Sequence, residues 1–128
     1  MIKREEAAEL AAAAQPEHPT DDVIPPISAL EEDILTLLLG QPLYGLQICR
    51  AIEEASEGKQ TLKIGSLYPS LHRLESKGLV FSYMQNEDSK TRKGNRRKYY
   101  RISGKGSRAL NQKQMTRMNL SRWRPAPA

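Results

Sequence analysis

The segment spanning residues 64–78 constrains the fold more than any other part of the sequence, because it carries the signals of a short helix with a defined start and end. We expect Gly65 or Ser66 to cap its N-terminus and Pro69 to occupy the first turn, where the missing N–H costs little. Gly78 follows the last turn, where a left-handed residue is favoured. Three leucines at helical spacing predict one buried stripe: Leu67, Leu71 and Leu74. The other faces are polar, so the segment alone also fits an ordinary amphipathic surface helix.

Charge is distributed very unevenly along the 128 residues, although the net charge is only +5. Residues 1–57 contain 3 basic and 12 acidic residues, a net charge of −9, whereas residues 58–128 contain 17 basic and 3 acidic residues, a net charge of +14. An electropositive half of this kind attracts a polyanion, with nucleic acid the first candidate and an anionic membrane surface the second. The alternative is a charge skew that only keeps the chain soluble.

Several classes of protein are disfavoured by features that the sequence lacks. No apolar run approaches the ~20 residues of a membrane span, and acidic residues follow the first four positions, where a signal peptide would be apolar. A single cysteine, Cys49, permits no internal disulfide, so we expect a cytoplasmic protein. The two histidines, His18 and His72, belong to no cluster with metal-ligand spacing, and no phosphate-binding loop or nucleophile elbow is present. We therefore predict no metal site, no cofactor and no enzymatic activity.

Two helices are predicted ahead of residues 64–78. Ser28 and Glu31 form a capping-box pattern, in which each side chain bonds the backbone amide of the other, and Gly40 with the following proline ends the helix that they start. A second helix is expected from about residue 43 to residue 55, with its apolar residues on one face. Cys49 lies beside that face, which indicates a packing role.

A hairpin and a last helix are predicted after residues 64–78. Two runs rich in β-forming residues, 79–84 and 96–102, flank a polar loop and predict paired strands. Ser103 or Gly104 then caps a helix over about residues 105–123. Three helices followed by a hairpin and a further helix are typical of an α+β winged helix-turn-helix domain. The second and third helices form the helix-turn-helix pair, and the hairpin is the wing.

This order divides the chain into three parts. Residues 1–27 are predicted to be an N-terminal arm and Pro-rich linker, residues 28–104 the winged helix DNA-binding domain, and residues 105–128 a C-terminal dimerisation helix and tail. The first 15 residues are rich in Ala and Glu, and they either form a helix that docks on a partner subunit or remain a frayed tail.

Three motifs, in this order, resemble the PadR-like transcriptional regulators. They are LEEDIL with GQPLYGLQI over residues 30–48, GSLYPSLHRLESKGLV over residues 65–80, and RRKYYRISGKG over residues 96–106. The resemblance covers about residues 28–110. It implies a dimeric winged-helix protein that binds a pseudo-palindromic operator in a promoter, usually as a repressor.

The ends of the chain depart from the pattern that this resemblance implies. The region after Gly104 is short for the family, which argues against a small-molecule effector pocket. Together with the acidic, Ala-rich start, these ends are similar to those of a PadR-like regulator of a circadian clock. This similarity implies a clock gene as the target.

A DNA interface is predicted on the third helix and the wing. A helix-turn-helix protein inserts the N-terminal part of its recognition helix in the major groove, where Arg73 can pair with a guanine edge or a phosphate. Tyr68 either contacts a thymine methyl group or a phosphate, or it closes the core. Wing cations are expected on phosphates or in the minor groove. The full predicted set is Lys59, Lys63, Ser66, Tyr68, Pro69, Ser70, Arg73, Lys93, Asn95, Arg96, Arg97 and Lys98.

The predicted partners are double-stranded promoter DNA and a second copy of the chain, and no membrane. Dimerisation is expected through the last helix, with help from the N-terminal arm, using Leu110, Met115, Met118 and Trp123. The alternative function is a winged-helix module that binds an acidic protein surface without sequence-specific DNA binding. RNA binding is disfavoured, because one Phe and one Trp make a poor stacking platform for single strands.

Overall fold

The computed structural model describes residues 23–86 and 96–127, which form four helices and a three-stranded antiparallel sheet. In chain order the elements are α1 (Ala29–Gly40), β1 (Leu43–Tyr44), α2 (Gly45–Ala55), α3 (Ile64–Ser76), β2 (Val80–Asn86), β3 (Arg96–Ile102) and α4 (Gly104–Arg122). This arrangement confirms the predicted α+β winged helix-turn-helix class. Within the described residues, no helix combines the length and the apolar character needed to cross a lipid bilayer.

The capping box that starts α1 is present as predicted. The Ser28 amide donates to Glu31 Oε1 at 2.8 Å, and the Glu31 amide donates to Ser28 Oγ at 3.1 Å. Each bond satisfies an amide that has no partner inside the helix, and losing such a cap typically costs about 1 kcal/mol. The start of α1 is therefore sharply defined, which matters because Glu31 also contacts the end of α3.

One hydrophobic core is shared by all four helices and the inner face of the sheet. Its buried members are Ile27, Ile34, Leu35, Leu38, Leu43, Ile48, Ile52, Leu67, Leu71, Leu74, Leu79, Val80, Tyr100, Ala109 and Leu110. The three leucines predicted as the buried stripe of α3 are completely inaccessible to solvent. Burying each such side chain contributes about 1.5–3 kcal/mol, so this stripe holds α3 firmly and leaves its opposite face outward.

The N-terminus of α3 differs from the sequence prediction. Lys63 is the N-cap residue, so neither Gly65 nor Ser66 caps the helix. The Lys63 carbonyl accepts hydrogen bonds from the amides of Ser66, at 2.9 Å, and Leu67, at 3.0 Å. Pro69 consequently lies inside the helix, past the first turn, and offers no N–H to the carbonyl four residues earlier. At the other end the prediction is confirmed, because Gly78 has a φ of 76°.

Strand β1 was not predicted from the sequence. Its two residues pair with β3, with Leu43 opposite Tyr100 and Tyr44 opposite Tyr99. The predicted hairpin is confirmed, since β2 and β3 are antiparallel from the pair Val80–Ile102 outward. Strand β3 therefore lies in the centre of the sheet, and the base of the wing is attached to the helix-turn-helix pair through β1.

The first turns of helix α4 are part of the hydrophobic core. Ser103 caps it, with its Oγ accepting from the Gly106 amide at 3.0 Å. Ala109 and Leu110 are buried, so the expectation that Leu110 contacts a partner subunit is corrected: this side chain packs within its own protomer. The core thus includes residues on both sides of the predicted boundaries at 27/28 and 104/105, because Ile27 is buried as well.

A pH dependence of stability follows from Glu31. Burial alone would raise the pKa of its carboxyl, but the Ser28 amide and the Lys77 ammonium outweigh burial, and the pKa lies below the ordinary value of 4.5. A depressed carboxyl pKa stabilises the fold above the unfolded-state pKa, and this stability is lost as the pH falls through the folded-state pKa. We expect the free energy of unfolding to decrease from about pH 5 downward, and Glu31→Gln to reduce that decrease.

Urea denaturation at a series of pH values checks this expectation. Asp33→Asn is the matched control, because Asp33 is an exposed carboxylate on the same helix. Equal acid sensitivity in Glu31→Gln and the wild type would assign the pH dependence to other groups.

Candidate nucleic-acid interface

Helix α3 presents the predicted recognition face to solvent. The side chains of Ser66, Tyr68, Pro69 and Arg73 are exposed, on the side opposite the buried leucines. Lys59 and Lys63 are exposed in the segment that leads into this helix. The structure thus brings these six residues onto and beside one helix, and their contact with DNA remains a prediction.

Ser70 is placed differently from the expectation. Only 1% of its surface is exposed, and its Oγ accepts a hydrogen bond from Arg73 Nη2 at 3.0 Å. Ser70 is buried because position 70 falls on the buried stripe of α3, one turn after Leu67 and one turn before Leu74. The leucine spacing itself could have revealed this. Ser70 is therefore buried beneath the exposed face of α3, and it contacts Arg73 through this hydrogen bond.

Arg73 combines a fixed position with available donors. The bond to Ser70 Oγ holds one side of the guanidinium against the helix. A guanidinium carries five N–H donors in a planar fork, so further donors remain for the O6 and N7 acceptors of a guanine or for a phosphate. A pre-oriented arginine loses less side-chain freedom on binding than an unrestrained one.

Tyr68 is accessible to a DNA ligand and also packs against a neighbouring helix, so its contact with DNA stays a prediction. It keeps 47% of its surface exposed, while its ring lies against Gly45 at the start of α2. A Cβ on Gly45 would stand 2.9 Å from Tyr68 Oη and 3.1 Å from Ile64 Cδ1. Ile64 is itself partly exposed and was not predicted as an interface residue. Gly45 thus lets α2 and α3 approach closely enough to hold Tyr68 at the surface.

The close approach at Gly45 gives a test of Tyr68. In Gly45→Ala, the added methyl group pushes the Tyr68 ring away, so we expect DNA binding to weaken by about tenfold. The loss of stability should not exceed about 2 kcal/mol, because overpacking costs about 1–3 kcal/mol and replacing helical Gly by Ala recovers up to ~1 kcal/mol. The atoms that the methyl group meets are the ends of side chains, which can move aside. Fluorescence anisotropy with labelled DNA and thermal unfolding measure the two effects.

Gly40→Ala is the control for this change, because a Cβ at Gly40 meets no atom within 4 Å. If Gly45→Ala and Gly40→Ala bind DNA equally well, the position of Tyr68 does not matter for binding.

The basic residues of β3 divide between the two faces of the sheet. Arg96 and Lys98 are exposed and share the strand face of Tyr100, which packs towards α3. The Lys98 ammonium lies 5.6 Å from the centre of the Tyr100 ring. Arg97 is on the opposite face, where its guanidinium lies 4.5 Å from the centre of the Tyr44 ring. The wing predictions Lys93 and Asn95 lie outside the described residues.

The outer face of the sheet carries a row of three tyrosines. The rings of Tyr44 and Tyr99 meet edge to face with centroids 5.4 Å apart, and those of Tyr83 and Tyr99 stack at 5.9 Å. Such pairs contribute about 0.5–1.5 kcal/mol beyond burial. With Arg97 over Tyr44, the row joins all three strands and fixes the base of the wing relative to α2.

Polar contacts also join the wing to α3. Ser82 Oγ donates to Glu75 Oε2 at 2.7 Å, so the one carboxylate of α3 is engaged by β2. Burial, and then the proximity of Tyr68 and Glu75, raises the pKa of Tyr100 to about 12. The Tyr100 hydroxyl is therefore uncharged at any physiological pH, and it adds no negative charge beside the recognition helix.

Residues 23–86 and 96–127 contain neither a candidate metal site nor a reactive thiol. Within these ranges no three His, Cys, Asp or Glu side chains lie close enough together to hold a metal ion. Burial raises the pKa of the Cys49 thiol, which disfavours the thiolate form that reactive cysteines require.

Helix α4 leaves a set of large apolar side chains exposed beyond the core. Met115 and Met118 are about half exposed, and Trp123 is 67% exposed. Leu120 is exposed as well and was not among the predicted dimer contacts. These apolar side chains lie in the second half of α4 or directly after it, and their contact with a second copy remains a prediction.

Together, an outward recognition helix, a basic wing and a positively charged C-terminal half define a winged helix-turn-helix protein that binds DNA. The model of the transcriptional regulator PadR-like family matches residues 34–112, which is more than half of the chain. The protein belongs to this family. Its members are transcription regulators, and the expectation that the chain is not an enzyme is confirmed on that ground.

Three relatives illustrate the similarity. An uncharacterized protein of Lysinibacillus sphaericus is 31% identical over 83 residues, covering 65% of this chain and 72% of the relative. The crystal structure of a PadR family transcription regulator from Clostridium difficile R20291 superimposes with a TM-score of 0.62 at 32% identity, covering 74% of this chain and 93% of that one. Bacillus subtilis PadR in complex with operator DNA shares the fold, with a TM-score of 0.58 at 24% identity over 79% of this chain and 52% of that one.

Proposed function

We propose that this DNA-binding regulator represses transcription by occupying a pseudo-palindromic promoter site as a homodimer. The observation that carries the proposal is the exposed face of α3, where Arg73 is held by Ser70 and Tyr68 by Gly45, beside a basic wing strand. Recognition-helix side chains of this kind read base edges in the major groove, while cations around them bind phosphates. The complex of Bacillus subtilis PadR with operator DNA supports DNA as the ligand for this fold.

The second half of α4 supports the homodimer, because it is held in place and exposes apolar side chains. Two polar contacts attach that half to the rest of the protomer, so the helix is a fixed platform: Arg117 Nη2 lies 2.7 Å from Glu32 Oε1, and Lys113 Nζ donates to the Ile27 carbonyl at 3.1 Å. The exposed apolar side chains Met115, Met118, Leu120 and Trp123 are then available to a second copy. Two-fold symmetry would place the recognition helices about 34 Å apart, or a multiple of this distance.

Selection from genomic DNA tests the proposal. The purified protein is mixed with fragments of its own genome at two salt concentrations, and the retained fragments are sequenced. We expect a palindromic site inside a promoter to be enriched at both concentrations. If about six phosphates are neutralised per dimer, overall affinity should fall about a thousandfold between 50 and 200 mM salt.

The outcome also separates the alternatives. Uniform binding to all fragments that disappears with salt would contradict specific recognition and favour the module that binds an acidic protein. The identity of the enriched promoter tests the implied clock gene, which stays a prediction. A monomer that binds one site tightly and specifically would contradict the homodimer.

A further inference from the structure

Two neighbouring carboxylates at the start of α1 join three helices. Glu31 and Glu32, the carboxylate pair, are only 2% and 7% exposed. Acidic side chains are rarely buried to this extent unless they are paired, because removing a charge from water is costly. Each member of the carboxylate pair contacts a cation from a different helix. One of these helices is the recognition helix α3 and the other is α4.

Glu31 fixes the C-terminal end of α3. Lys77, the residue that follows the last turn of α3, places its Nζ 3.1 Å from Glu31 Oε1 and 3.0 Å from Glu31 Oε2. The same ammonium donates to the Pro26 carbonyl at 3.3 Å. The ammonium therefore bonds to residues on both sides of the α1 N-cap. Small rotations of α3 against α1 would break bonds that the buried Glu31 carboxylate cannot replace with water.

Glu32 holds α4 at a point far from the buried start of that helix. Arg117 lies about 16 Å along α4 from Gly106, at a rise of 1.5 Å per residue, and it reaches Glu32 Oε1 at 2.7 Å. Lys113 adds its bond to the Ile27 carbonyl, one residue before the α1 N-cap. The part of α4 that bears the exposed methionines is thus attached to the same short segment that holds the end of α3.

We infer that the carboxylate pair sets the angle between α3 and α4, and thereby the separation of the two half-sites that a dimer recognises. The inference rests on the proposed homodimer. The leucine stripe holds α3 against the core, and the ion pairs of the two buried carboxylates add directional contacts that specify one angle between α3 and α4. A 10° tilt of α4 about its start would move its outer half by about 3 Å. In a two-fold symmetric dimer both copies move, so the separation of the recognition helices would change by about 6 Å, which is close to two base-pair steps of about 3.4 Å.

Glu31 and Glu32 are therefore positioning residues, and their effect should be visible without DNA. In a Cys49→Ala background, a spin label at His72→Cys on the exposed side of α3 reports the distance between the two recognition helices. We expect one narrow distance in the dimer, and a broadened or shifted distribution in Glu32→Gln and in Arg117→Gln. Arg117→Lys keeps the ion pair and should restore the narrow distribution. Asp33→Asn, an exposed carboxylate next in sequence, should leave it unchanged.

A second measurement uses DNA duplexes built from the half-site that the wild-type protein retains, with the spacing varied one base pair at a time. We expect the wild type to prefer one spacing by about tenfold, and Glu32→Gln and Arg117→Gln to bind three neighbouring spacings within about threefold. Affinity for a duplex with a single half-site should not change. Arg117 is largely exposed, so Arg117→Gln keeps the test valid if Glu32→Gln fails to fold.

Two results would overturn the inference, and they are distinguishable. Variants that lose thermal stability but keep the narrow distance and the spacing preference would assign the carboxylate pair a structural role alone. A wild-type protein that sediments as a monomer under the same conditions would overturn the proposed homodimer, and the inference with it.

Discussion

Gly106→Ala should remove a large part of the folding stability. A Cβ at this position would overlap the Leu79 carbonyl oxygen, and it would lie 3.0 Å from the carbonyl carbon and 2.8 Å from Ile102 Cγ1. The carbonyl cannot move away cheaply, because it accepts the Ser103 amide at 3.0 Å and the Leu79 amide donates to Leu74 at 2.9 Å. Overpacking of this kind costs about 3 kcal/mol or more. That is a large fraction of the 5–15 kcal/mol typical of a domain.

Urea denaturation followed by circular dichroism measures this loss. Gly65→Ala is the control, because it adds the same methyl group to a helix where no atom lies within 4 Å, and it should be neutral or slightly stabilising. If Gly106→Ala unfolds at the same urea concentration as Gly65→Ala, α4 can move away from Leu79 and Ile102 without cost and the close contact is unimportant.

Arg73→Ala should reduce discrimination between the selected site and random DNA by about 1–3 kcal/mol, or roughly 5- to 150-fold. The substitution removes the guanidinium that is expected to contact a base edge, while the phosphate contacts of other residues remain. Ser70→Ala should cause a smaller loss, because Arg73 is still present but no longer oriented. Anisotropy titrations against the selected site and a scrambled duplex give the ratio of affinities.

Lys98→Ala provides the comparison for Arg73→Ala. Lys98 is an exposed wing cation, so its removal should weaken binding to both duplexes alike and flatten the salt dependence. Equal losses on both duplexes for Arg73→Ala would show that Arg73 contacts the backbone and reads no base.

Local signals in the sequence predicted the parts of the fold that local physics determines. The capping box at Ser28, the leucine stripe of α3 and the left-handed Gly78 each depend on residues within one or two turns, and each is present. The start of α3 was misplaced because residue type alone favoured Gly65 or Ser66 as the cap. In the structure the Lys63 carbonyl already accepts the first helical bonds.

Other features depend on contacts between distant parts of the chain, which no local pattern reveals. Strand β1 is only two residues long and exists because β3 offers it an edge. Glu31 had a sufficient local explanation as part of the capping box, so its bond to Lys77, 46 positions away, was not anticipated. The same holds for Glu32 and Arg117, which are 85 positions apart. At the interface, Ser70 was assigned to DNA on its chemistry, although its spacing placed it inside.

The single tryptophan of the chain stands at the end of α4, largely in water. An indole in water emits at longer wavelength than one enclosed by apolar side chains. The emission maximum of Trp123 therefore depends on whether another chain packs against the end of α4. If two copies associate through α4, as proposed, Trp123 is an intrinsic label for that association. A dilution series read at one excitation wavelength would then follow dimer formation, without any substitution or added dye that would disturb the surface itself.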